Sequence, residues 1–100
     1  MIKTFETPEL TSLKTEKSFK VLQIIGKMGM IMPTHRSTKE VVVIVQKGKA
    51  ELRMEKETHA LEAGTSFIIP AGAYHSLTLK ADFSAVAVMD LDSAIEFEPE

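Results

Sequence analysis

The chain has 100 residues and a mass of 11.1 kDa, with 44% apolar and 26% charged side chains. Such a length fills one domain and leaves no room for a second, and 12 basic against 14 acidic residues, a net charge of −2, give no electrostatic footprint for nucleic acid or an anionic membrane. Cysteine is absent, which removes disulfides, thiolate nucleophiles and cysteine-based metal clusters, so any metal would rest on His, carboxylate or water.

Residues 1–18 alternate charged and hydroxyl side chains with isolated apolar ones and lack the apolar run of a signal peptide, so a cytoplasmic chain is expected. Thr7 as N-cap, Pro8 at the first helical position and Leu10 and Leu13 on one side suit a single helical turn. An arm or an edge strand suits the same residues equally well. The longest apolar run, Val41 to Val45, is far shorter than the roughly 20 residues that span a bilayer.

From residue 19 onward the pattern is one of short strands divided by turn residues, with no convincing amphipathic helix. Strands are expected over 19–25, 27–32, 41–47, 50–54, 59–62, 66–69, 75–80 and 83–91. Gly26, Gly48, Gly64 and the Pro70-Ala71-Gly72 segment fall between them, where positive φ or a fixed turn is needed. The connections are too short for crossover helices, which excludes a parallel α/β sheet and leaves an all-β sandwich or barrel. Residues 93–100 form an acidic tail whose apolar anchors are Ile95 and Phe97 and whose last residues should fray. No internal repeat is present.

Parity assigns the faces. Ala50, Leu52 and Met54 share one side of their strand, with Glu51 and Arg53 on the other. His75 shares the inward side with Leu77 and Leu79. Met28, Met30 and Met32 form a row that lies on the outer side of its sheet if the opposite face continues inward to His35. Flexible methionines on an outer face suit a partner surface, and a homodimer is expected there.

His35 and His75 sit in informative contexts. The segment PTHRSTKEVVVIVQKG, residues 33–48, followed by GTSFIIPAGAYHSL, residues 64–77, resembles the paired signature of the cupin superfamily. The second motif, a Gly, five residues, Pro, any, Gly, two residues and His, is matched by Gly64, Pro70, Gly72 and His75, with only its trailing Asn missing. The resemblance implies a single-domain antiparallel jelly-roll β-barrel over 19–92, flanked by the N-terminal segment 1–18 and the tail 93–100. The first motif departs from the family. Anchored on Gly48, its three ligand positions fall on His35, Ser37 and Val41, so one ligand of three survives. Glu40 is adjacent to the expected carboxylate but should face outward unless a bulge turns it in.

The inward set expected to line the pocket is His35, Ser37, Val41, Val43 and His75, with Tyr74 either at its rim or half-exposed beside it. Two imidazoles fall short of the three or four protein ligands of a well-populated metal site. The leading expectation is therefore a small-molecule-binding protein without a robust metal centre, a sensor or carrier. The alternative is a metal-dependent enzyme of dioxygenase or isomerase type, with His35 and His75 holding Zn, Ni, Fe or Mn and Glu40 recruited through a bulge. A structural or interaction protein with a vestigial pocket is the third reading. His59 is read as a surface residue. No nucleophile elbow, phosphate loop, dinucleotide fingerprint or HExxH helix occurs.

Overall fold

Short runs rich in Val, Ile and Leu, punctuated by glycine turns, bury a face most readily by stacking sheet on sheet. The computed structural model of the protein, which describes residues 7–15 and 18–98, shows this arrangement. The described strands are β1 (Glu9–Thr15), β2 (Phe19–Gly26), β3 (Ile31–Ser37), β4 (Val41–Lys47), β5 (Lys49–Met54), β6 (Thr58–Glu62), β7 (Ser66–Ile69), β8 (His75–Leu79), β9 (Phe83–Asp90) and β10 (Ile95–Phe97). They form two five-stranded antiparallel sheets in the orders β1-β2-β9-β4-β7 and β10-β3-β8-β5-β6, a jelly-roll sandwich. No helix among the described residues is long and apolar enough to cross a membrane.

The core lies between the sheets. Val41, Val43 and Val45 of β4 face Leu52 of β5 and Leu77 and Leu79 of β8, with Phe83, Ala85, Ala87 and Met89 of β9 completing the layer, all buried. The alternation read along residues 41–45, 50–54 and 75–79 therefore maps onto the two sides of the sheets as expected. Gly48 turns β4 into β5 with φ 85°, and a Cβ there would strike the Asp82 carbonyl oxygen, so only glycine fits.

Three expectations are corrected. The strand expected over 27–32 is displaced to β3, because Met28 and Gly29 form a turn with Gly29 at φ 93°. The methionines consequently do not share an outer face: Met28 is exposed in the turn, Met30 packs against the core and Met32 is buried within it. Met32 and His35, three residues apart, both point inward because the β3–β8 register shifts between them. Pro33 lies in this irregular stretch, where a residue without an N–H does least harm to an interior strand. Finally, no helical turn forms at Thr7 and Pro8. Pro8 is buried, and the segment continues as edge strand β1, one of the alternatives its sequence allowed.

The acidic tail is likewise partly a strand. β10 pairs with β3 through Ile95↔Ser37, Glu96↔Arg36 and Phe97↔His35. The last two residues, whose fraying was expected, lie outside the described set.

Candidate functional site

β3 and β8 set His35 and His75 directly opposite one another across their ladder. Both rings are buried, and their centroids lie 4.2 Å apart at an interplanar angle of 60°. Each is fixed by its own neighbouring backbone. His35 Nδ1 donates to the Pro33 carbonyl at 2.6 Å, and His75 Nδ1 donates to the Ala73 carbonyl at 2.9 Å. A carbonyl oxygen only accepts, so Nδ1 carries the proton in both rings and Nε2 holds a lone pair. Among the described residues, neither Nε2 makes a hydrogen bond to protein.

Burial pushes both imidazoles below their ordinary pKa, since the cation loses its hydration. The bonds to Pro33 and Ala73 oppose this in part, and His75 is lowered further by its proximity to His35. Both rings are therefore neutral at pH 7, and the pair presents two acceptors rather than positive charge.

The two histidines border a cavity of about 50 Å³ between the sheets. Its remaining wall is Ser37 from β3 and an almost wholly aliphatic surround that includes Met32, Val41, Val43, Leu52, Ile69, Leu77 and Met89. Leu10 of edge strand β1 and Ile95 of edge strand β10 also line it, so the cavity reaches the seam between the two sheet edges. Drug-sized ligands occupy roughly 300–1,000 Å³. A site this small takes a very small molecule unless the seam widens.

The expected inward residues His35, Ser37, Val41, Val43 and His75 all line this cavity. Tyr74 does not. It immediately precedes inward-pointing His75 and so turns outward, where it is half-buried with the Arg36 guanidinium 4.9 Å from its ring centroid. His75 also borders the open outer groove in which Tyr74 sits. Glu40 is exposed and no bulge turns it in. His59, read as surface, is half-buried, with Nε2 2.6 Å from Glu57 and its ring 4.5 Å from Phe67.

Phe97 was missed as a site residue. It is the register partner of His35, on the same side of the sheet, and its ring centroid lies 5.3 Å from that of His35, so the tail strand flanks one histidine at the sheet edge. An aromatic side chain isolated in an acidic tail was the available signal.

A divalent ion of the kind cupins hold is poorly matched by these donors. Among the described residues no group of three or more His, Cys, Asp or Glu is placed to hold a metal. Ser37 and Val41 stand where ligands would be, and the additional cavity donors are the thioethers of Met32 and Met89, too soft for Zn, Ni, Fe or Mn. Two imidazoles alone fall short of a resident site.

Comparison with known proteins places the geometry in context. The family model described as "Cupin domain" matches residues 21–91. A cupin 2 domain-containing protein from Halorhodospira halophila superimposes with a TM-score of 0.84 at 17% identity, covering 94% of this chain and 71% of that one. A DMSP lyase from Ruegeria pomeroyi gives 0.81 at 23% identity, over 94% of this chain and 54% of the lyase. A salicylate 1,2-dioxygenase from Pseudoaminobacter salicylatoxidans gives 0.74 at 20% identity, over 83% of this chain and 25% of the enzyme. At these identities the likeness is one of fold. No curated protein sequence matches the chain.

Proposed function

This chain belongs to the cupin domain family, and on that premise we propose that it binds a small, neutral, hydrogen-bond-donating molecule in the cavity between its sheets, as a sensor or carrier. One observation carries the reading: two neutral imidazoles, each anchored through Nδ1–H to a backbone carbonyl and with no hydrogen-bond partner for Nε2 among the described residues, line the same aliphatic cavity, and an Nε2 turned toward it would act as an acceptor. An alcohol, phenol or amide N–H satisfies such acceptors, while the aliphatic wall takes up the apolar part of the molecule. The Ser37 hydroxyl supplies a third polar contact, able to donate or accept.

A carboxylate is disfavoured. It is an acceptor facing acceptors, and burial holds both histidines below the pKa at which they would supply charge. Metal-dependent catalysis of the kind named for the dioxygenase and the lyase draws no support from Glu40, which is exposed.

The test is ligand-observed NMR at neutral pH with graded series of small alcohols and phenols, each paired with the carboxylate of matching size. Binding of the neutral donors that disappears in His35→Ala and His75→Ala supports the reading. Preferential binding of the carboxylates would refute it. So would near-stoichiometric divalent metal in protein purified without chelator, if that metal is lost in the same variants.

A further inference from the structure

The cavity is lined by more donors than its histidines. Among the described residues no carboxylate borders it, but two buried methionines do, Met32 and Met89. The strand registers bring these to the histidines from both sheets. His35 and His75 oppose one another across the β3–β8 ladder, and Met32 opposes Leu77, the next inward residue after His75. Met32 is therefore the diagonal neighbour of His75 on the inner side of its sheet, about 7–8 Å away along the backbone, a span that a long side chain covers. Met89 belongs to the facing sheet. Its partner across the β4–β9 ladder is Val41, the residue that stands where the first motif lacks its carboxylate ligand. Three rotatable bonds and a polarizable sulfur let a methionine adapt its side chain to such a void.

Every donor in this set is uncharged. Two thioethers, two imidazoles that burial keeps neutral and the Ser37 hydroxyl supply no negative charge to offset that of an ion. The cost of moving an ion into a medium of low dielectric grows with the square of its charge, so burying a univalent ion costs about a quarter as much as burying a divalent one of like size. Thioether sulfur selects in the same direction. It is a soft donor that favours Cu(I), and imidazole is a good copper ligand as well. Charge and softness thus point to one ion and away from Zn, Ni, Fe and Mn, for which the donors are a poor match.

We propose that the cavity is a Cu(I) site, with Met32 and Met89 supplying sulfur where Ser37 and Val41 replace ligands, and His35 and His75 completing the set. The inference rests on the two anchored imidazoles of the preceding reading but not on a neutral organic ligand, with which the ion competes for the same lone pairs. Binding involves no change of oxidation state, and the chain acts on the ion as a carrier or sensor.

Anaerobic titration of the full chain with Cu(I), supplied as its acetonitrile complex in competition with bicinchoninate, tests the assignment. The wild-type chain should withdraw a single Cu(I) from the chelator, and X-ray absorption at the copper edge should show both sulfur and imidazole nitrogen bonded to the metal. Met32→Leu and Met89→Leu nearly conserve volume, so the fold should hold, as circular dichroism will report. Each should weaken Cu(I) binding by about tenfold or more, since loss of even an outer partner of a metal ligand costs that much. Met28→Leu, at the exposed turn, should leave binding unchanged. The absorption measurement needs no variant and so stands even if one fails to fold. Phenol binding to the metal-free chain, followed by NMR, tests the preceding reading separately, because both methionine variants retain the histidines. A wild-type chain that takes no Cu(I) from bicinchoninate, a copper edge without sulfur, or Cu(I) binding that survives Met32→Leu and Met89→Leu together would overturn the proposal, whatever the result with phenol.

Discussion

Leu52→Ala probes the wall of the cavity. Leu52 is 1% exposed, faces Leu77 across the β5–β8 ladder and lines the void beside the histidines. Truncation removes three carbons from the interior, about 2.4 kcal/mol at ~0.8 kcal/mol each. If the surrounding strands hold their places, a void on the order of 60 Å³ opens and adds roughly 1.5 kcal/mol at ~24 cal/mol per Å³. Because the new void joins an existing cavity of about 50 Å³, collapse of the wall onto it recovers little, and the full cost near 4 kcal/mol is expected. Urea denaturation followed by far-UV circular dichroism measures it. The same variant should gain stability from a small apolar probe such as benzene that leaves the wild-type chain unaffected, as any ligand selective for the folded state must stabilise it. A loss below about 1.5 kcal/mol with no response to benzene would refute the argument, showing that the wall yields and no rigid cavity exists.

Both site histidines have folded-state pKa values below the ordinary value of 6.5, so between that value and their own the unfolded chain binds more protons than the folded one. Stability should therefore fall as pH drops through 6.5, by at most about 1.4 kcal/mol per pH unit for each histidine; flat stability in the wild type relative to a His35→Leu, His75→Leu chain would refute the assignment. His35→Leu alone should raise stability by about 1 kcal/mol. It exchanges a buried imidazole for aliphatic surface, while the orphaned carbonyl belongs to exposed Pro33 and can take water. It should also abolish binding of the neutral donors, and a stability loss above about 2 kcal/mol would mark the ring as structural instead. Gly48→Ala and Gly64→Ala both place alanine at positive φ, 85° and 90°, but only Gly48 faces an obstruction, the Asp82 backbone. Gly64→Ala should cost about 1 kcal/mol and Gly48→Ala about 3 kcal/mol or more by thermal denaturation, and equal costs would argue against the close approach.

The sequence makes the central strands readable because their side chains alternate without interruption. Residues 41–45, 50–54 and 75–79 each bury one face, and parity alone points His35, Ser37, Val41, Val43 and His75 into the same interior. Parity fails where the backbone resets it. Gly29 turns the chain, and the register shift beyond Met32 lets two residues of opposite parity face inward, which no period-two pattern reveals. The terminal strands were illegible for another reason. β1 is largely polar along its length and β10 is three residues long, so each owes its form to the neighbour it pairs with, β2 or β3, rather than to a pattern of its own. The bond from each Nδ1 to a carbonyl two residues earlier, which decides what the site accepts, depends on loop geometry and is likewise invisible in composition.

The strand order also governs how the chain must fold. Hairpins β1–β2 and β5–β6 close locally, at Thr15↔Lys20 and Arg53↔Thr58, but most other pairings join distant segments, such as Phe19↔Asp90 and Val41↔Met89. Folding dominated by such pairings is slow, in the millisecond to second range. Throughout that search β4 waits for both its neighbours with the uninterrupted run Val41 to Val45 exposed, a short segment of high β-propensity without charge or proline. Kinetic competition between β9 and the same valine run of another unfolded chain therefore sets the yield of refolding, which should fall as protein concentration rises and recover when β4 carries a charge at an outward position.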